Sequence, residues 1–179
     1  LVLMVFPKDV TLHLPFDTTH QNSRAFWGDF VANVSELEAP GKAYYVHMLL
    51  PHQPYEFDGA GNLVRSLSQA QQFDDFPKMA QAYGEQVMFV DTLLGKFINR
   101  LKVEGLYDRS LVIVVGDHGP RSLGLGHKFS GFDRSDDFPE ELSELIPRVP
   151  LIVHGPGVAP AVVPVDYQHI DLMPTVLDI

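Results

Sequence analysis

Cysteine is absent from the 179 residues, which excludes disulfides, thiolate metal sites and a cysteine nucleophile among them. The redox compartment stays open. Positive charge is scarce, with 13 Lys and Arg against 23 Asp and Glu and a formal net charge of -10. Nucleic acids and anionic membrane surfaces are bound through clustered Lys and Arg that displace counterions, so neither is expected as a partner. A sulfate or phosphate group would have to be held locally, with a cation. Long apolar runs are missing as well. Stretches such as "LVLMVF" from Leu1 to Phe6 fall far below the ~20 residues that cross a bilayer, and no charged leader precedes a signal-like segment. These residues are expected to be soluble and to make no membrane contact.

What is present suits one globular domain, because 45% of the residues are hydrophobic and a chain of this length can bury a substantial core. No internal repeat is visible, and the 14 Gly and 14 Pro are spread through connections rather than gathered in a linker. The chain opens on an apolar run without Met and closes inside "HIDLMPTVLDI", a pattern expected to continue as a helix. Residues 1–179 are therefore read as a single, partial domain of a larger protein.

The elements follow from spacing. Phe26, Phe30 and Val34 recur every fourth residue after Ser23 and predict a short amphipathic helix. "AYYVHMLL", from Ala43 to Leu50, is aromatic and β-branched and is stopped by Pro51, which predicts a buried strand. The polar stretch from Gly59 to Phe76 suggests a surface loop or a short helix. After "DDFP", Met79, Tyr83, Val87, Val90, Leu94, Phe97 and Leu101 mark one face of a long helix that ends near Gly105. "SLVIVV" and "VPLIVHGPG" are two further buried strands. Alternating strands and helices define an α/β order, and continuous apolar strands point to a mostly parallel sheet with helices on both faces. Ligands gather at the carboxyl ends of strands in such sheets.

The residues with chemical potential cluster at those ends. In "SLVIVVGDHGPRSLGLGHK", Asp117 and His118 follow a strand directly, and a carboxylate beside a neutral imidazole can bind Zn²⁺ or Mn²⁺, or through oxygens Mg²⁺ or Ca²⁺. Taken alone, the tripeptide reads first as a turn cap with a hydrogen-bonded loop histidine. His52 in "PHQPY" also lies just past a strand. His127 and Lys128 can hold an anionic oxygen or protonate a leaving group, or form an exposed basic pair. His47 reads as an interior histidine able to support the site from behind, and His154, beside a Gly-Pro-Gly turn, as structural. Asp171 reads as a helix cap and His169 as a minor candidate. His13 and His20 fit a loop, Thr18 and Thr19 lie in no nucleophile setting, and "NVS" at Asn33 matches a glycosylation sequon by its three residues alone.

Taken in order, "YYVHMLLPHQPYEFD", "AYGEQVMFVDTLLGKFINRLKVEGLYDRSLVIVVGDHG", "VPLIVHGPG" and "HIDLMPTVLDI" resemble the later half of the sulfatase-like branch of the alkaline phosphatase superfamily. The resemblance implies an alkaline-phosphatase-like α/β fold and a metal-dependent hydrolase of sulfate esters. Phosphoethanolamine or phosphoglycerol transfer is the alternative within the superfamily, and a non-catalytic metal-binding fragment is the alternative outside it. The resemblance places Asp117 and His118 as ligands of a divalent metal (Ca, Mg, Mn or Zn), His52 near the substrate anion or leaving group, and His127 and Lys128 as further anion contacts. It suggests small-molecule, glycan or lipid esters as substrates and an extracytoplasmic, membrane-anchored parent. The family's nucleophile lies in an earlier half, and these residues contain no C-x-P-x-R or S-x-P-x-R motif and no evident threonine nucleophile. They are thus expected to supply part of an active site.

Overall fold

Four short strands form one sheet in the order β2-β1-β3-β4: β1 (Val2–Val5), β2 (Tyr44–His47), β3 (Val112–Val115) and β4 (Leu151–His154). The computed structural model describes residues 2–5, 20–37, 44–71, 73, 76–119, 148–164, 167–172 and 174. The strands expected from "AYYVHMLL", "SLVIVV" and "VPLIVHGPG" are all present.

The pairing corrects the expectation of a mostly parallel sheet. β1 runs antiparallel to both β2 and β3, and β3 runs antiparallel to β4. The cause is β1, whose sequence VLMV inserts between β2 and β3. An apolar run selects burial, but it carries no information about which way the strand runs. Since β2 and β3 both oppose β1, they point the same way, and the register makes their ends level: His47 and Val115 both stand opposite Val2.

All four residues of β3 are buried. Val112 and Val114 join Val46 in a core shared with α1 (His20–Ala32) and α3 (Phe76–Val103), so the two long helices lie on the same side of the sheet rather than one on each. The centre of this core is aromatic. Phe97 is fully buried, with its ring centroid 5.6 Å from Trp27 and 5.5 Å from Phe30, and the Trp27 indole N–H donates to the Leu93 carbonyl at 3.2 Å.

The long helix follows its spacing with one rotation. Phe89, Val90, Leu93, Phe97 and Leu101 are buried as a stripe, but Val87 is 39% exposed and Gln86 takes the core position beside it at 0%. The end near Gly105 has a physical basis. Leu106 N–H donates to the Leu101 carbonyl at 2.8 Å and Gly105 N–H to that of Lys102 at 3.1 Å, the paired bonds that close a helix through a left-handed residue. Gly105 supplies that residue with φ +66°. Arg100 and Lys102 in the last turn favour the negative end of the helix dipole.

Between β2 and α3 the chain forms a long loop and the short helix α2 (Leu67–Gln71). Asp58 closes the loop's tip by accepting backbone N–H bonds from Ala60 at 2.9 Å and Asn62 at 2.8 Å. Gly61 then lies over Phe89 with φ +84°, where an added Cβ would stand 2.4 Å from the ring. Gly61→Ala combines backbone strain with this clash. It is expected to lower the stability of the protein by more than ~1 kcal/mol, read as a lower denaturant midpoint at unchanged m-value.

Candidate functional site

The level ends of β2 and β3 bring sequence-distant polar groups to one edge. Beyond β2 the chain passes through buried Met48 and Leu50 to Pro51 and His52. Beyond β3 it turns at Gly116 into Asp117 and His118. The His52 and His118 rings meet edge to face with centroids 6.1 Å apart and planes at 79°. Of the residues expected at the site, His52, Asp117 and His118 come together at this edge.

Gly116 is gripped on two sides. Its N–H donates to the Pro150 carbonyl at 3.1 Å, and a Cβ at this position would approach Val149 to 3.1 Å. Its carbonyl accepts a bond of 2.6 Å from His169 Nε2. The turn that presents Asp117 is therefore held by the segment before β4 and by the short helical turn His169–Asp171.

The tautomer of His118 follows from its partner. Nδ1 lies 2.8 Å from the Gly119 carbonyl, which can only accept, so Nδ1 carries the proton and a neutral ring keeps its lone pair on Nε2. That nitrogen is 3.6 Å from Asp117 Oδ2. A lone pair facing a carboxylate needs a positive charge between or upon them. Two ligand atoms at ~2.0–2.2 Å from a tetrahedral ion stand about 3.4 Å apart, so the pair has the spacing of neighbouring ligands on one cation. Both side chains remain open to approach, with side-chain exposures of 48% for Asp117 and 25% for His118. Among the described residues no third His, Asp or Glu completes such a set.

Partial burial works to raise the Asp117 pKa. His118 and hydrogen bonds from the backbone N–H groups of Asp117 and His118 act in the opposite direction and favour the ionised carboxylate. A carboxylate that stays ionised is the form a cation requires.

His47 departs from its expected interior position. It ends β2 with an exposed side chain, because the last strand residue projects beyond the packed part of the sheet. Desolvation on its protein-facing side lowers its pKa, while the negative charge of Asp117 acts to raise it. His47 therefore belongs to the electrostatic environment of the site, because the strand ends at His47 rather than running on to Leu50. His169 moves from minor candidate to a direct support of Gly116. His154 has the structural role expected, stacked on Tyr107 at 3.8 Å with Nε2 donating to the Tyr107 carbonyl at 3.2 Å. His127 and Lys128 lie outside the described residues, as do His13, Thr18 and Thr19. Spacing gave no hint of Gln86, a polar residue at an apolar position.

The chain is 30% identical over 132 residues to the lipoteichoic acid synthase-like protein YvgJ of Bacillus subtilis, covering 72% of the chain and 20% of that protein. It is 27% identical over 158 residues to lipoteichoic acid synthase 1 of the same organism, covering 83% of the chain and 22% of the relative. It is also 29% identical over 101 residues to the choline-sulfatase of Rhizobium meliloti, covering 55% of the chain and 18% of the relative. The chain thus spans about a fifth of the length of these relatives. No solved structure gives a significant match. The model of the Sulfatase family matches residues 16–179, taking in every strand end described above except that of β1, and the chain belongs to the sulfatase family.

Proposed function

We propose that residues 1–179 are one partial catalytic domain, and that the complete protein cleaves or transfers an anionic ester group with a divalent cation held in part by Asp117 and His118. The observation that carries this reading is the 3.6 Å approach of His118 Nε2 to Asp117 Oδ2, with Nδ1 tied to the Gly119 carbonyl. A divalent cation, when bound, would polarise a sulfate or phosphate oxygen and offset the charge that develops on it. Asp117 supplies negative charge and His118 a pre-set lone pair. In this reading His52, whose ring meets that of His118, contacts an anionic oxygen or the leaving group, with His127 and Lys128 as further anion contacts. The nucleophile and the remaining ligands come from other parts of the protein.

Of the two reactions that suit this site, transfer of a phosphoglycerol or phosphoethanolamine group is the better supported. Similarity to the two lipoteichoic acid synthase relatives covers more of the chain, 72% and 83%, than similarity to the choline-sulfatase at 55%. That last similarity keeps sulfate-ester hydrolysis as the second reading. The substrate class is a lipid, glycan or small-molecule ester, and the setting extracytoplasmic, with the protein anchored to a membrane. Among the described residues no helix is long and apolar enough to cross a membrane.

The test is a chelation experiment on the complete protein. Three probes separate the readings: p-nitrophenyl sulfate, bis-(p-nitrophenyl) phosphate and a lipid with a phosphoglycerol headgroup. Turnover of at least one is expected, with loss under EDTA and recovery on adding Mn²⁺, Mg²⁺, Ca²⁺ or Zn²⁺. Lipid turnover alone supports transfer, and aryl sulfate turnover alone supports hydrolysis. Full activity after exhaustive chelation would overturn the reading.

A further inference from the structure

Gln86 is fully buried at 0%, although Val87 and Met88 beside it on α3 are exposed at 39% and 63%. Placing an amide on the buried side of a helix in preference to valine costs free energy unless every polar atom finds a partner. Here each does. Oε1 accepts from the N–H groups of Glu56 at 2.8 Å and Phe57 at 3.3 Å, and Nε2 donates to the carbonyls of Pro51 at 3.3 Å and His52 at 3.1 Å. The four bonds use the full capacity of the side chain. All of them go to one segment, residues 51–57, and none to the helix.

The two donated bonds have a specific geometric consequence. The Pro51 carbonyl belongs to the peptide before the His52 Cα, and the His52 carbonyl to the peptide after it. One NH₂ group that holds both peptide planes constrains φ and ψ of His52, and with them the direction of its Cα–Cβ bond. The accepted bonds anchor the far end of the same loop at Glu56 and Phe57. The loop needs such an anchor, because its two prolines, Pro51 and Pro54, have no N–H to give to a strand ladder.

We infer that Gln86 is a positioning residue: from the buried face of α3 its amide sets the backbone on both sides of His52, and so aims the imidazole at the edge shared with His118. The inference rests on the proposed role of His52 at the anion site. It adds a helix residue, 34 positions away in sequence, whose function is to orient the histidine and not to touch substrate.

The test is a double-mutant cycle in the complete, metal-loaded protein, using whichever of the three probes it turns over. Gln86→Glu keeps the shape and the accepted bonds but, when ionised, gives nothing to Pro51 or His52. It is expected to lower kcat by up to about a hundredfold, the scale of a misplacement of about 1 Å, with metal content unchanged. The imidazole NMR signals of His52 are expected to shift with it. In a His52→Ala background the same change is expected to cost no further activity, because the residue it orients is gone. Gln86→Met removes all four bonds, and Leu93→Ala, a core truncation elsewhere on α3, measures what destabilisation alone does to kcat. Additive losses in the cycle, or an equal kcat loss in Leu93→Ala at matched thermal stability, overturn the inference. If Gln86→Glu is fully active while His52→Ala is impaired, the inference about Gln86 fails and the site stands. If His52→Ala is itself fully active, the reading of the site fails.

Discussion

Asp117→Ala is expected to abolish cation binding at this edge and to lower turnover by about a thousandfold, with almost no change in thermal stability. The rate effect follows from charge. A cation that stabilises developing charge by about 4 kcal/mol accounts for a factor of roughly a thousand in rate. The small stability effect follows from position, since the carboxylate lies past the end of β3 with its side chain 48% exposed, outside the packed core. Asp117→Asn separates charge from shape. It keeps an oxygen at the same place but no negative charge, and should retain the fold while binding cation more weakly. Metal content by mass spectrometry, turnover and a melting curve on one preparation check all three expectations. Unchanged metal content in Asp117→Ala would show that this carboxylate is not a ligand, whatever happens to the rate.

The opposite dissociation, large in stability and indirect in function, is expected near the C-terminal end of α3. Phe97→Ala should destabilise the protein by about 3–5 kcal/mol, the range for emptying a buried aromatic site. The ring is fully buried and lies against both Trp27 and Phe30, and aromatic pairs contribute about 0.5–1.5 kcal/mol beyond area burial. Against a typical total of about 5–15 kcal/mol the loss is a large fraction of the whole. Phe97→Leu keeps most of the volume and should cost markedly less. Denaturant unfolding with a fixed m-value measures both. A change below about 1 kcal/mol in Phe97→Ala would mean that α1 and α3 are not held by this cluster. Because α3 also carries Gln86, about three turns earlier, the aromatic cluster contributes to the site by holding that helix against the loop of His52.

Much of the local structure was legible because its signals are local. The four-and-three spacing from Met79 to Leu101 reflects a helix that must bury one stripe, and Gly105 marks its end because a left-handed residue is cheapest without a Cβ. The runs around Val46, Val112 and Leu151 read as strands because dense β-branched and aromatic residues suit a sheet. The D-H-G stretch after an apolar run placed Asp117 and His118 at a strand end, where the side chains leave the sheet.

Some misreadings have one origin. Periodicity ranks residues by hydrophobicity, so it assigned Val87 to the core stripe and passed over Gln86. The amide occupies that side because partners from a loop 34 and more residues away satisfy it, and no local spacing encodes them. His47 looked interior because its neighbours are apolar, yet whether a strand's last residue is covered depends on what packs beyond it.

The sequence by itself determined the long helix α3, the strands β2, β3 and β4, and which side chains can bind a cation or an anion, since these depend on neighbours a few residues apart. The tertiary structure decided that β1 inserts between β2 and β3, that the inserted strand levels their ends, and that Gln86 reaches back to His52. Strand direction and hydrogen-bond partners across long loops depend on which distant surfaces compete successfully for burial, and that competition is settled only when the whole chain packs.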